Sequence, residues 1–294
     1  MKNVMGVIYT GEKDNFLREL TLLRAIAAVP VAGRYRVIDF MVSSMVNSGM
    51  RNVGVIMQKN YHSLMDHLGS GKEWDLHGKN DGLYILPPFL TRDNVGVYNG
   101  SLDALHSNMN YLQRSRQEYV LVTNSLIVYN TNFKDMFAQY MKSGCDVMMM
   151  YTKRPDMQCP EYGTYLDVNE DGVVTDIEID PTKPRYENTS MEVMIMRKDL
   201  LIDLVDRGAA HGYHELVRDV LQRMARDAAI KCTATSTRMS ASVWTVCRAT
   251  SSSTWRFWIP RPVTSCSMTS APSTPRCATR CPPSTPIRPR WSTP

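Results

Sequence analysis

The sequence predicts an α/β protein built on a mainly parallel, doubly wound sheet. Three observations carry this. Nearly continuous apolar runs recur along the first two thirds of the chain, as strands buried on both faces require. Segments with helical apolar spacing alternate with them. Glycines 49, 69 and 144 stand just past helical segments, where a left-handed cap ends a helix.

Taken in order, strands are expected at 4–9, 53–58, 84–86, 119–123, 146–152 and 191–196. Helices are expected at 40–47, 61–68, 102–114, 133–142, 198–206 and 214–228. The runs 164–168 and 173–179 flank Asn-Glu-Asp-Gly, a hairpin signal. Asp39 reads as an N-cap for the helix that follows it. The methionines at 148–150 read as strand core. Asp199, Asp203 and Asp206 form a solvated helix face. His62 and His67, five apart, do not share a face for a metal, and His211 and His214 read as turn and helix-start residues. Ligands of doubly wound folds bind beyond the C-terminal strand ends. Function is therefore sought at 10–19, 58–61, 97–101 and 124–130.

The chain has 294 residues, 43% apolar and 21% charged, an ordinary globular profile. Its net charge of +5 is unevenly spread. From Cys232 to Pro294 there are eight arginines and no lysine or acidic residue; removing these from the 34 basic residues leaves 26 against 29 acidic, a net of −3 for residues 1–231. A mildly acidic body gives no reason to expect nucleic acid. No apolar run reaches membrane-spanning length, and the N-terminus reads as a strand rather than a signal peptide, so the cytoplasm is expected. Cys145 and Cys159 are read as reduced thiols.

The segment 232–294 has a different composition: no Leu, Gly, Lys, Asp, Glu, Asn, Gln, His or Tyr, but five of the seven cysteines and four of the five tryptophans. Natural disordered tails are poor in Trp and Cys. The expectation is a folded body at 1–231, incomplete at its C-terminus, and a low-complexity, out-of-frame and disordered tail at 232–294, with a frameshift near Lys231. Read from the third base of the Cys247 codon, 247–260 can encode Gln-Gly-Tyr-Phe-Lys-Phe-Asn-Met-Ala-Ile-Leu-Asp-Pro, a peptide of ordinary helical pattern.

The stretch RAIAAVPVAGRYRVIDF, 24–40, resembles the glucose-1-phosphate adenylyltransferases. The likeness continues through NSGMRNVGVIMQ, WDL, ILPP, VYNGSLDALHSNMNYL, EYVLVTNSLIVY and EYGTYLDVNEDGVVTDIE. The resemblance implies a Rossmann-like nucleotide-diphospho-sugar transferase domain. It also implies the reaction of ATP with glucose 1-phosphate to give ADP-glucose and pyrophosphate, in which the protein positions groups and neutralises developing charge with cations and Mg²⁺.

The chain departs from that pattern where charge matters. The opening loop of the family resembles Gly-Gly-x-Gly-x-Arg-Leu; here one glycine, Gly11, is followed by Glu12 and Asp14, which repel phosphate. Lys13 and Arg18 are the cations left to compensate. The anion-binding lysine of the next element is Ile26. A gapless alignment puts Leu126 at the metal aspartate, with Asn124 the nearest oxygen, and Mg²⁺ demands oxygen ligands. The lysine of the sugar-phosphate element Glu-Lys-Pro is Asp180, and a nearby glycine is Glu192. The resemblance is therefore to the regulatory, GlgD-type subunit, with no catalytic or metal residues assigned.

Nucleotide-pocket remnants by resemblance are Gly11, Gln58, Tyr98, Gly100 and Ser101, with Gly100 allowing close backbone approach. Arg24, Arg34 and Arg36 are the candidates for a regulatory anion. The resemblance implies a catalytic homologue as partner, Mg²⁺ in that partner, no strongly bound cofactor here, and a phosphorylated metabolite as effector. Family members form tetramers through these domains and a C-terminal left-handed β-helix, before which this chain ends. An active ADP-glucose-forming enzyme and a non-regulatory scaffold remain the alternatives.

Overall fold

The computed structural model describes residues 1–11, 20–31, 33–78, 81–88, 98–128, 131–153, 163–227, 229–236 and the backbone of 244–245. In chain order the elements are β1 (Val4–Tyr9), β2 (Pro30–Val31), β3 (Tyr35–Arg36), α1 (Val37–Asn47), β4 (Val53–Ile56), α2 (His62–Leu68) and β5 (Leu83–Leu86). Then come α3 (Ser101–Ser107), α4 (Met109–Arg114), β6 (Tyr119–Asn124), β7 (Ile127–Val128), α5 (Phe133–Ser143), β8 (Val147–Thr152), β9 (Thr164–Val168), β10 (Val174–Ile179) and β11 (Asn188–Arg197). The chain continues through α6 (Lys198–Ala210), a π-helix at Leu216–Leu221 running into α7 (Gln222–Arg226), β12 (Cys232–Ser236) and β13 (Trp244–Thr245).

Among the described residues the main sheet has nine strands. β5, β4, β1 and β6 are parallel neighbours. β11 runs antiparallel to both β6 and β8, and β12 closes that side parallel to β8. The hairpin β9–β10 joins the N-terminal half of β11. The mostly parallel α/β sheet expected from the sequence is present.

Strand alternation divides the core in two. Along β1, Val4 and Ile8 face a cluster with Ile38, Met45, Leu64 and Phe133 of α1, α2 and α5. Met5 and Val7 face the opposite cluster, with Leu102, Leu112, Leu201 and Val220. Each face of a strand at period two thus buries against its own helical layer. Gly49, Gly69 and Gly144 take φ of 88°, 49° and 58°, as their positions past helix ends required.

The structure differs from the expectations at four places. α1 begins at Val37, and Asp39 lies inside its first turn, where Oδ2 accepts from the Arg36 N–H at 2.9 Å. The helix expected at 102–114 is broken at Asn108, whose side-chain amide donates to the Ala104 carbonyl at 2.8 Å and competes with the helix ladder. The helix expected at 214–228 begins as a π-helix. β11 is longer than expected and carries a register shift between Ser190 and Met194.

One residue past the expected end of the body, Cys232–Ser236 completes the sheet as β12. Cys232 is fully buried, and burial pushes its thiol up to about 12, with Cys145 and Asp146 adding to the effect. The Ala234 N–H donates to the Gly172 carbonyl at 2.8 Å, and Thr235 Oγ1 donates to Gln139 Oε1.

Candidate functional site

The C-terminal ends of β1, β4 and β6 meet where doubly wound folds hold ligands. After β1, the Thr10 N–H and Oγ1 both donate to the Ile56 carbonyl, at 3.0 and 3.1 Å, tying the loop to β4. Any side chain at Gly11 would collide with the Tyr9 ring, so the one glycine left in this loop accommodates a residue of the protein itself. Burial pushes the Tyr9 phenol far up, and the negative charges of Glu215 and Asp103 push it further. Glu12, Lys13, Asp14 and Arg18 lie outside the described residues.

Gln58, Tyr98, Gly100 and Ser101 lie together, and each has a neighbour within the protein. Gln58 Nε2 donates to the Tyr98 carbonyl at 2.6 Å. Tyr98 Oη accepts from Asn108 at 3.3 Å. Gly100 has no room for a side chain because the His214 carbonyl oxygen lies against it. Its close approach is therefore made by the chain's own backbone. Ser101 Oγ donates to Glu215 Oε2 at 2.8 Å and accepts from the Leu216 N–H at 3.1 Å.

Sequence reasoning missed His214 and Glu215 as members of this group. His214 Nδ1 lies 2.9 Å from Asp103, whose hydrogen bond and charge raise the imidazole above its ordinary value. The signal was present: Asp103 opens a helix four residues after an exposed asparagine, and His214-Glu215 follows a turn. Only the tertiary contact joins them.

The two positions that lost a phosphate cation and a metal ligand by resemblance sit in one apolar cluster. Ile26 lies in the 3₁₀ turn Ile26–Ala28 and is 0% exposed. It packs with Val29, Val37 and Val128, and Leu126, Val31 and Phe40 close around them. Asn124 Oδ1, the nearest oxygen, accepts from the Leu126 N–H at 3.1 Å. A hydrocarbon side chain and one neutral amide oxygen do not fit a Mg²⁺ ion, which takes nearly octahedral oxygen coordination. Among the described residues, no group of three or more His, Cys, Asp or Glu is arranged to hold a metal.

At the position the resemblance assigns to a sugar phosphate, Asp180 follows β10 with φ 50°, and its Oδ2 pairs with Arg218 Nη2 at 3.0 Å. Glu192 occupies the register shift of β11 with φ 54°, a left-handed conformation that suits glycine, and its N–H donates to Ser190 Oγ at 3.1 Å. Asp219 is also held within the protein. Burial would raise its carboxyl, but the N–H groups of Glu215 and His214, with Arg223 and Arg218, bring it below the ordinary range.

The arginines lie around the hairpin β2–β3. Arg36 Nη1 donates to the Ser63 carbonyl and to Ser63 Oγ, the latter at 2.9 Å, which fastens the hairpin to α2. Below it, Asp39 Oδ1 contacts His67 Nε2 at 2.6 Å, His67 stands edge-on to Trp74, and Trp74 Nε1 donates to Ser43 Oγ at 3.1 Å. Arg34 is exposed in the hairpin turn, and Arg24 is half-buried just before the 3₁₀ turn.

Residues 5–244 match the family model described as nucleotidyl transferase. The chain is 36% identical over 233 residues to a glucose-1-phosphate adenylyltransferase of Thermomicrobium roseum, covering 78% of this chain and 54% of that protein. It is 34% identical over 231 residues to the glycogen biosynthesis protein GlgD of Geobacillus stearothermophilus, covering 77% and 56%. Over a shorter stretch of 155 residues it is 40% identical to GlgD of Bacillus subtilis, covering 53% and 45%. The chain spans about half the length of these relatives. No helix among the described residues is long and apolar enough to cross a membrane.

Proposed function

Because the chain belongs to the nucleotidyl transferase family, we propose that it is a regulatory, catalytically weak or silent subunit of glucose-1-phosphate adenylyltransferase, working in glycogen or starch synthesis beside a catalytic homologue. The observation that supports this most directly is the packing of Ile26 and Leu126 into one apolar cluster. Phosphoryl transfer needs cations where negative charge develops. At these two positions the chain offers hydrocarbon, and Asp180 adds an acid where a sugar phosphate would be held.

The remaining shape of the cleft suits a different role. The groups that the resemblance assigns to a nucleotide bond within the protein, as Gln58 does to Tyr98 and Ser101 to Glu215. Such a domain keeps its fold and its surface for a partner while leaving ATP and Mg²⁺ to that partner. Arg24 and Arg34, beside the hairpin that Arg36 fastens to Ser63, are the groups we assign to a phosphorylated effector.

The test uses the full chain, alone and mixed with a catalytically competent homologue, with pyrophosphate release from ATP and glucose 1-phosphate as the readout. Background turnover alone, together with a changed effector response of the mixture, is expected. Turnover alone comparable to that of the homologue would establish an active adenylyltransferase instead. Co-assembly that leaves the partner's kinetics unchanged would reduce the chain to a scaffold.

A further inference from the structure

The segment from His214 to Arg226 touches both halves of the cleft. Toward the nucleotide half, the His214 carbonyl accepts from the Leu102 N–H at 2.8 Å, and Glu215 and Leu216 both hold Ser101. Toward the sugar half, Arg218 pairs with Asp180 at 3.0 Å, Gln222 Nε2 donates to the Ile177 carbonyl, and Arg226 Nε donates to Asp176 Oδ1 at 2.8 Å.

Arg218, Gln222 and Arg226 are four apart along the strap, and their partners, Asp180, Ile177 and Asp176, fall in reverse order along β10 and its end. The helix and β10 therefore run in opposite directions.

Leu216 of the first set and Arg218 of the second both lie in one π-helix, Leu216–Leu221. π turns are rare, and they persist where something holds them. The two grips are thus two residues apart in one helical turn, so a shift of one moves the backbone that carries the other.

We infer that residues 214–226 are a coupling strap: one continuous segment grips both halves of the cleft, and release of one grip loosens the other. The names of the two halves rest on the functional reading above, but the coupling requires neither substrate to bind. Because it is a free-energy coupling, it must act in both directions.

Hydrogen exchange on the full chain tests it without ligand or partner. The double substitution Asp180→Asn with Arg218→Gln removes the sugar-side ion pair at constant net charge. Exchange at the Leu102 amide, which belongs to the other grip, is expected to rise about threefold, as for a local opening made easier by loss of a partly exposed ion pair. The Val7 and Ile8 amides of β1 should stay unchanged. In the reverse direction, Ser101→Ala should speed exchange at the Asp180 amide, which donates to the Gly163 carbonyl at 2.9 Å. If the double variant fails to fold, Asp176→Asn with Arg226→Gln makes the same cut farther along α7. Acceleration confined to the cut side would overturn the inference, and so would equal acceleration in β1, which would mean that the ion pair acts on global stability alone.

Discussion

Replacing Ile26 by lysine restores the charge that the family resemblance places there, and the structure says what it should cost. Ile26 is 0% exposed, with Val29, Val37 and Val128 around it and Leu126 closing the cluster. A buried ammonium without a carboxylate partner destabilises by about 3–5 kcal/mol. In a folded body of this size, each kcal/mol shifts the melting temperature by about 2–4 °C. A fall of about 12 °C is therefore expected for Ile26→Lys, followed by circular dichroism on heating. Ile26→Ala, which leaves a cavity but no charge, should lose about 2–3 kcal/mol. Adding Leu126→Asp to Ile26→Lys should give a loss smaller than the sum of the single losses by more than about 1 kcal/mol, since both residues line one cluster and couple. If Ile26→Lys melts within about 2 °C of the parent and gains magnesium-dependent ATP binding by calorimetry, the position is an open cationic site, and the apolar reading is refuted.

Three further outcomes follow from the same contacts. Gly100→Ala should destabilise by about 2 kcal/mol in urea titrations, because its methyl group collides with the His214 carbonyl; a neutral result would mean that this contact yields freely. Glu192→Gly should stabilise by about 0.5 kcal/mol, relief of a left-handed φ of 54° less the extra freedom of glycine in the unfolded chain; a loss would show that the Glu192 side chain contributes more than its backbone strain removes. The Asp103 contact raises the His214 imidazole above 6.5, so its contribution is complete below about pH 6.5 and fades as pH rises through the raised folded value. The His214 side chain is 53% exposed, which limits this to about 0.3 kcal/mol. His214→Gln should flatten the stability profile across that window, measured by urea midpoints at about pH 6 and about pH 8.5.

By itself the sequence determined the alternation of strands and helices, the hairpin at Asn-Glu-Asp-Gly, the caps at Gly49, Gly69 and Gly144, and the residue types at Ile26, Leu126 and Asp180 that depart from the family pattern it resembles. These are legible because periodicity, turn chemistry and side-chain type are local properties. The tertiary structure decided what surrounds those residues. Ile26 and Leu126 are a hundred residues apart, and only the fold puts them in one apolar cluster. Gly100 reads as an opening for a ligand, yet its neighbour is the His214 carbonyl from an element more than a hundred residues later. Asp180 reads as a lone acid facing phosphate and proves to be paired with Arg218. The composition change near Lys231 masks a strand, because Cys-Thr-Ala-Thr-Ser, with its two β-branched threonines, pairs beside β8 when that strand supplies the hydrogen bonds. The π winding at Leu216–Leu221 has no local signature, and the contacts of Leu216 and Arg218 within it exist only once the sheet has formed.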